Sequence, residues 1–185
     1  MRSEPILTYT GKWFYPLEPR PEDVDIRDIA HALSLICRFT GHVTYHYSVA
    51  THSIAVSELC KPHLALYGLL HDAGEAYLTD IAHPIKDGFM WHDVPFKEIE
   101  DHLICVIIDG LGIPPANKII WDAVDHVDKA VGVAESIQLM RQQLKWGKRC
   151  RISPANYHVV RSEPEIEEQR FLRLYKELMS NVSAD

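Results

Sequence analysis

The sequence predicts an all-α protein, a bundle of about six helices. Apolar side chains recur at three- and four-residue intervals in segment after segment from Ile26 onward. Those segments are bounded by residues that start or stop helices for identifiable reasons. A third observation bears on function: several stripes hold histidine or carboxylate where an apolar side chain is expected. At 185 residues a single domain spanning 1–185 is expected, long enough to bury a core.

Residues 1–25 come before the helices. The stretch TYTGKWFYPLEPRPEDVD is rich in proline and aromatics and reads as an irregular segment with one or two short strands or turns folded over the body. Asp25 suits an N-cap, and Asp28 adds favourable charge in the first turn. That first helix is expected to run to about Arg38, with Ile29, Ala30, Leu33, Ile36 and Cys37 inward and Gly41 as its stop. Residues 42–47 form a loop, whose His42 and His46 read as surface or supporting groups rather than ligands. Ser48 then caps a helix over 49–60, where Val49, His52, Val56 and Leu59 share one stripe.

Pro62 fits a first helical position, where its missing N–H would be unpaired anyway. The helix it opens passes through Leu66, Leu69, Leu70 and Ala73 to about Asp80, with His71 and Asp72 in its middle and Glu75 on the face of His71. IAHPIK (81–86) and DGFMWHDV (87–94) read as loops. Pro95 starts a helix through Ile99, Leu103, Val106, Ile107 and Ile108 to Gly110. After a break at 112–115, a long helix runs from Lys118 to Leu144, with Ile120, Val124, Val127 and Val131 inward, and the charged WGKRCR ends it. Residues 151–161 read as loop or a short strand. The last helix has Ser162 as cap, Pro164 early, and Glu165 to close a capping box, with Ile166, Phe171, Leu172, Leu174, Tyr175 and Leu178 along it. The final residues fray.

Buried ionisable groups are costly unless compensated, and a divalent cation compensates them. His52, His71 and Asp72 supply mixed nitrogen and oxygen donors that suit zinc, manganese, iron or cobalt. A fourth donor should be a carboxylate on another buried helical face. Asp128 adjoins the stripe of the long helix and is the first candidate; Asp125, one turn earlier, is the second; Asp122 is more exposed. The His-Asp dipeptide has no weight by itself, since it recurs at His92-Asp93 in an expected loop. The constellation is what counts, and its alternative is a set of core histidines bonded to carboxylates.

Composition narrows the partners. The net charge is −7 and no basic patch is visible, which argues against a nucleic-acid polymer as ligand but not against a free nucleotide. No signal peptide and no apolar run of membrane-spanning length is seen, so a cytoplasmic location is expected. The four cysteines, Cys37, Cys60, Cys105 and Cys150, form no CxxC pair and read as buried reduced thiols.

The order His52, His71-Asp72, Asp128 resembles the HD-domain metal-dependent phosphohydrolases, over about Ile26 to Leu144. Arg38-Phe39, YSVATHS (47–53), LLHDAGEAYLTDIAHPIK (69–86) and VDKAVGVAES (127–136) look like the small bacterial and phage members, which include 5′-deoxynucleotidases and phage dATP triphosphohydrolases. The resemblance implies an HD-domain helical bundle with metal ligands His52, His71, Asp72 and Asp128. The spacing from Asp128 to Glu135 matches the family's D-x6-E, which places Asp128 ahead of Asp125. It implies one divalent ion per site, Zn, Co, Mn or Mg, and room for a second with the substrate phosphates.

By the same resemblance Glu75 acts on water, Asp80 lies near the sugar 3′-hydroxyl, and Pro84 and Lys86 belong to a loop over base and phosphates. Arg38 and Phe39 match a pair that contacts phosphate or sugar and lies against the base, with phenylalanine where the nucleotidases commonly have tryptophan. Arg38 alternatively serves as a cation at a helix C-terminus, and Lys86 as a solvated loop lysine. Trp13 either walls a nucleobase pocket or belongs to an aromatic anchor for the N-terminal segment. The resulting expectation is a dNTP phosphohydrolase of the dATP type, with a 5′-deoxynucleotidase of dNMPs and a non-catalytic nucleotide-binding protein as alternatives. Self-association as a dimer or hexamer is implied too, as is a host-cytoplasm setting if the protein is phage-encoded.

Overall fold

The computed structural model describes residues 4–142 and 152–182. Among these the chain is mostly helical, with two small two-stranded sheets. The expected all-α class therefore holds, and several element boundaries change for local physical reasons.

The N-terminal segment forms a hairpin. β1 (Ile6–Leu7) pairs antiparallel with β2 (Trp13–Phe14), in the register Ile6 to Phe14 and Leu7 to Trp13. Alternation along β2 sends its two aromatics opposite ways. Phe14 is fully buried and stacks on Tyr77 with ring centroids 3.8 Å apart, whereas Trp13 is 59% exposed. Phe14 is thus the anchor, and Trp13 lies outside the core. The hairpin turn is tied down by buried Asp28, which accepts from the Thr10 N–H at 2.6 Å and the Thr10 hydroxyl at 2.9 Å.

α1 (Ile26–Leu35) starts where Asp25 accepts from the Arg27 N–H. It stops three residues short of Arg38, because the next residues pair with the chain entering the following helix. Val49 N–H donates to Ile36 O at 3.0 Å, and Arg38 N–H to Tyr47 O at 2.9 Å. Arg38 is therefore in extended backbone, followed by a 3-10 turn at Phe39–Gly41 in which Phe39 and Thr40 have φ of 55° and 54°.

α2 (Val49–Leu59) is capped by the Ser48 side chain, which accepts from Thr51 N–H at 3.0 Å. It packs against α1, α3 (Ala65–Leu70), α7 (Lys118–Leu139) and α8 (Pro164–Val182). Surrounded in this way, it is buried all round from Val49 to Ser57 rather than along one stripe, and Leu59, expected inside, is exposed. Small residues let α3 come close: a Cβ added to Gly68 would meet Cys60 Sγ at 3.0 Å and the Ser57 backbone at 3.2 Å.

The helix expected from Pro62 to Asp80 is broken. A 3-10 turn at Pro62–Leu64 leads into α3, then residues 71–74 form a turn before α4 (Glu75–Leu78). Here the backbone bonds tighten to three-residue closure, Ala73 to Leu70 O at 2.9 Å and Glu75 to Asp72 O at 2.9 Å. The His71 side chain takes the Gly68 carbonyl at 2.8 Å, removing an acceptor from the helical ladder. His71 and Asp72 thus sit at a helix end, not in a helix middle. The two expected loops that follow contain α5 (His83–Lys86) and a hairpin, β3 (Met90–Trp91) with β4 (Val94–Pro95). Its turn residues, His92 and Asp93, both have positive φ, at 45° and 67°.

α6 (Phe96–Gly110) buries Leu103, Ile107 and Ile108 in the main core. Cys105 is on its outer side and exposed, contrary to the expected burial; Cys37 and Cys60 are half-buried free thiols, and Cys150 lies outside the described residues. α7 is capped by Asn117 and ends at Leu139, short of the expected Leu144, because Met140 turns into extended backbone; residues 143–144 lie outside the described residues. A smaller apolar cluster of Ala55, Val56, Leu64, Val124 and Val131 joins α2 to α7. α8 begins one residue later than a Ser162 cap requires, since the Glu163 carbonyl accepts the first helical bond from Glu167 N–H at 3.1 Å. Among the described residues no helix is long and apolar enough to cross a membrane.

Gly110 closes α6 against the 3-10 turn at Pro21–Asp23. An added Cβ would collide with the Pro21 carbonyl oxygen and press Val24 at 3.0 Å. Gly110→Ala should cost about 1–3 kcal/mol by overpacking, read as a lower midpoint in urea unfolding with an unchanged m-value.

Candidate functional site

The site forms where α2, the turn after α3, and α7 converge. His52 has no solvent exposure. Its Nδ1 is 2.8 Å from Glu135 Oε1, and its Nε2 is 3.0 Å from Asp128 Oδ1 and 3.8 Å from Asp72 Oδ2. Across from it, 5.2 Å between ring centroids, lies His71. The close approach of α2 and α3 at Gly68 allows this facing.

The His71 tautomer follows from its partner. A carbonyl oxygen only accepts, so the Nδ1 atom facing Gly68 O carries the proton. Nε2 then points into the site, buried and without a hydrogen-bond partner, 3.2 Å from Asp72 Oδ2 and 3.8 Å from Asp128 Oδ1. Donor atoms of His52, His71 and Asp72 all lie within 4.8 Å of one another, a group able to hold a metal ion, and the Asp128 carboxylate adjoins them. The orphaned Nε2 and the nitrogen-oxygen donor set both fit a divalent cation. Asp125 faces away and pairs with Lys129, and Asp122 pairs with Lys118. The structure therefore brings together His52, His71, Asp72 and Asp128, and neither alternative carboxylate.

Charge balance shapes the ionisation of these groups. Burial opposes the charged form of His71, but Asp72 and Asp128 outweigh it and hold its pKa well above the ordinary value. Burial would raise Asp128; His52 and His71 overcome it and hold the carboxylate well below its usual range. Glu75, on α4, goes the other way: burial, with Asp72 and Asp80 nearby, raises its pKa well above that range. Its Oε2 is buried without a partner, while Oε1 lies 3.5 Å from Lys86 Nζ. Lys86 also donates to Glu100 Oε1 at 2.7 Å, so it is a half-buried lysine held between two carboxylates, not a solvated one.

Arg38 is held likewise. Its Nε donates to Glu135 Oε2 at 3.2 Å and its Nη1 lies 3.5 Å from Asp72 Oδ2. The Phe39 ring centroid is 5.4 Å from the Arg38 guanidinium carbon, so the pair stays together at the site's edge. Asp80 is half-buried and acts on Glu75 through its charge. Pro84 is exposed on α5, and Trp13 makes no described contact with this cluster. His42 and His46 are exposed.

Sequence reasoning missed the group behind His52. Glu135 is fully buried on α7, two turns after Asp128 on the same face. Its Oε1 also accepts from the Tyr47 hydroxyl at 2.8 Å, and Tyr47 meets the Tyr157 hydroxyl at 3.1 Å. The D-x6-E spacing signals Glu135; no local pattern signals Tyr47, Tyr157 or Glu100. Burial pushes the Glu135 pKa up, but His52, Arg38 and Tyr47 outweigh it and keep the carboxylate charged. Glu135→Ala would leave Arg38 and His52 without their shared anion. A loss of roughly 3–5 kcal/mol is expected for a broken buried pair, measured by urea unfolding of metal-free protein.

Two curated proteins resemble the chain over part of its length. "Uncharacterized protein YfdR" of Escherichia coli (strain K12) is 42% identical over 110 residues, 60% of each chain. "Uncharacterized protein RCAP_rcc00048" of Rhodobacter capsulatus is 37% identical over 114 residues, 57% of each chain. The chain thus spans 57–60% of the length of these relatives. No protein-family model matches the chain.

Proposed function

We propose that this chain is a divalent-metal-dependent phosphohydrolase of 2′-deoxynucleotides, built on the HD-domain plan. The observation that carries the reading is the convergence of His52, His71, Asp72 and Asp128, with a buried and unpartnered His71 Nε2. A bound divalent cation would supply Lewis acidity toward a phosphoryl oxygen and make the water beside it more acidic. His52 and His71 would hold it through Nε2, their Nδ1 protons being committed to Glu135 and to Gly68 O.

The chain's own groups do the rest. Glu75 receives the proton of the attacking water on Oε2, which is buried and has no other partner. Lys86, anchored by Glu100, keeps a positive charge beside Glu75 and near the phosphate oxygens. Arg38 offers a planar guanidinium to the same oxygens, with Phe39 next to it for the base. Asp80 accepts from the sugar 3′-hydroxyl, and Pro84 shapes the loop over the base.

A dNTP of the dATP type is the leading substrate, on the resemblance of Pro84 and Lys86. A specific observation favours dNMPs instead: Arg38 and Lys86 are each already shared between two carboxylates, leaving little free positive charge for three phosphates. The protein is expected to act on free nucleotide, to self-associate as a dimer or hexamer, and to work in the cytoplasm.

Incubation with each dNTP and dNMP, with Co²⁺, Mn²⁺, Mg²⁺ or Zn²⁺ in turn, followed by anion-exchange chromatography, tests the reaction and counts the phosphates released. Loss of dATP supports the leading substrate, and turnover of dNMPs alone moves the assignment. Absence of turnover with any pair refutes the enzyme reading. Glu75→Gln should lower kcat by roughly 10²–10⁴ while leaving Mn²⁺ binding within a few-fold of wild type. His71→Ala and Asp72→Ala should lose metal and activity together, by calorimetry and product assay.

A further inference from the structure

A strap of non-helical chain, 152–161, crosses α7 on the far side of His52 from Asp72 and Asp128. Ala155 N–H donates to Ala130 O at 2.9 Å. Gln138 clamps the strap through both ends of its amide, donating to Tyr157 O at 2.9 Å and accepting from Val159 N–H at 3.0 Å. Beneath it, between α2 and α8, a cavity of about 240 Å³ is lined by Thr51, Ile54, Glu58, Tyr157 and Arg170 among others. Ala155 and Tyr157 also pack against the apolar cluster that joins α2 to α7.

The hydroxyl directions along the resulting chain are fixed by counting protons. Tyr47 has one hydroxyl hydrogen and gives it to Glu135 Oε1. At the 3.1 Å contact between the two phenols, Tyr157 must therefore be the donor. The order is Tyr157 to Tyr47 to Glu135, with His52 Nδ1–H arriving at the same Oε1 atom. Each bond in such a chain polarises and orients the next.

We propose that Tyr157 and Gln138 are positioning residues for His52: the Gln138-clamped strap sets the Tyr157 hydroxyl, which through Tyr47 orients Glu135 and so sets the direction of His52 Nε2 into the space it shares with Asp72 and Asp128. This rests on the reading of the cluster as a metal centre. Without the Tyr157 hydroxyl, Tyr47 has an unfilled acceptor, and Glu135 keeps Arg38, His52 and Tyr47 but loses the phenol that orients the Tyr47 hydroxyl.

The test uses the full chain and Mn²⁺ alone as probe. Calorimetric titration of wild type, Tyr157→Phe, Gln138→Ala and the double variant gives a thermodynamic cycle, with thermal unfolding of each metal-free protein alongside. Tyr157→Phe and Gln138→Ala should each weaken Mn²⁺ binding about fivefold, below the effect expected for a group in direct contact with a ligand, and the double variant should lose no more than either alone. A strap with a merely structural role would lower the unfolding temperature of Gln138→Ala and leave the Mn²⁺ affinity of the folded variants at the wild-type value. That result, or losses that multiply in the double variant, overturns the proposal. The hydrogen-bond chain is checked without metal by the downfield NMR resonance of the His52 Nδ1 proton, which Tyr157→Phe should shift. An unmoved resonance overturns the positioning role, whereas wild-type protein that takes up no Mn²⁺ refutes the metal-centre reading on which it depends.

Discussion

A single buried carboxylate holds the centre of this protein together. Glu135 has no solvent exposure, and an isolated charge in such a position is prohibitively costly. It is compensated by Arg38, Tyr47 and His52, which come from the chain after α1, the residue before the α2 cap, and α2 itself. These three segments and α7 must therefore be in register before any of the four groups is satisfied. The early end of α1 follows from the same requirement, because the extended pairing of 36–38 with 47–49 brings Arg38 and Tyr47 to the same carboxylate.

The tight turn after α3 makes a second contribution. The backbone closes over three residues at Leu70–Ala73 and Asp72–Glu75, His71 Nδ1 is held by Gly68 O, and both His71 and Asp72 lie close to His52. Gly68 then brings α3 near enough to α2 for the imidazoles to confront each other.

Electrostatically the cluster is short of positive charge. Among the described residues, Asp72, Glu75, Glu100, Asp128 and Glu135 lie around two permanent cations, Arg38 and Lys86. The facing carboxylates raise the pKa of His52 and His71 against the opposing effect of burial. A divalent cation answers the same deficit, which is why the proposed chemistry and the electrostatics of the cluster agree. The strap carrying Tyr157 extends this logic outward, since a carboxylate is a precise support for an imidazole only while its own partners are fixed.

The amino-acid sequence by itself determined the helical class, the Asp25 and Ser48 caps, and the candidates His52, His71, Asp72 and Asp128, because periodicity and capping are local and an ionisable residue inside an apolar stripe is visible in one dimension. It also contained Glu135, at a spacing that puts it on the face of Asp128. Tertiary structure alone decided the rest. The all-round burial of α2 depends on four neighbouring helices, so a stripe drawn through Leu59 was misleading. The break at 71–74 depends on a side chain competing for a backbone carbonyl, and the pairing of Lys86 with Glu75 and Glu100 joins three separate elements. Tyr47 and Tyr157 are 110 positions apart, and nothing in the residues around either one marks it as part of the path to His52. Such contacts arise from where the chain returns in space, which no local pattern of side chains encodes.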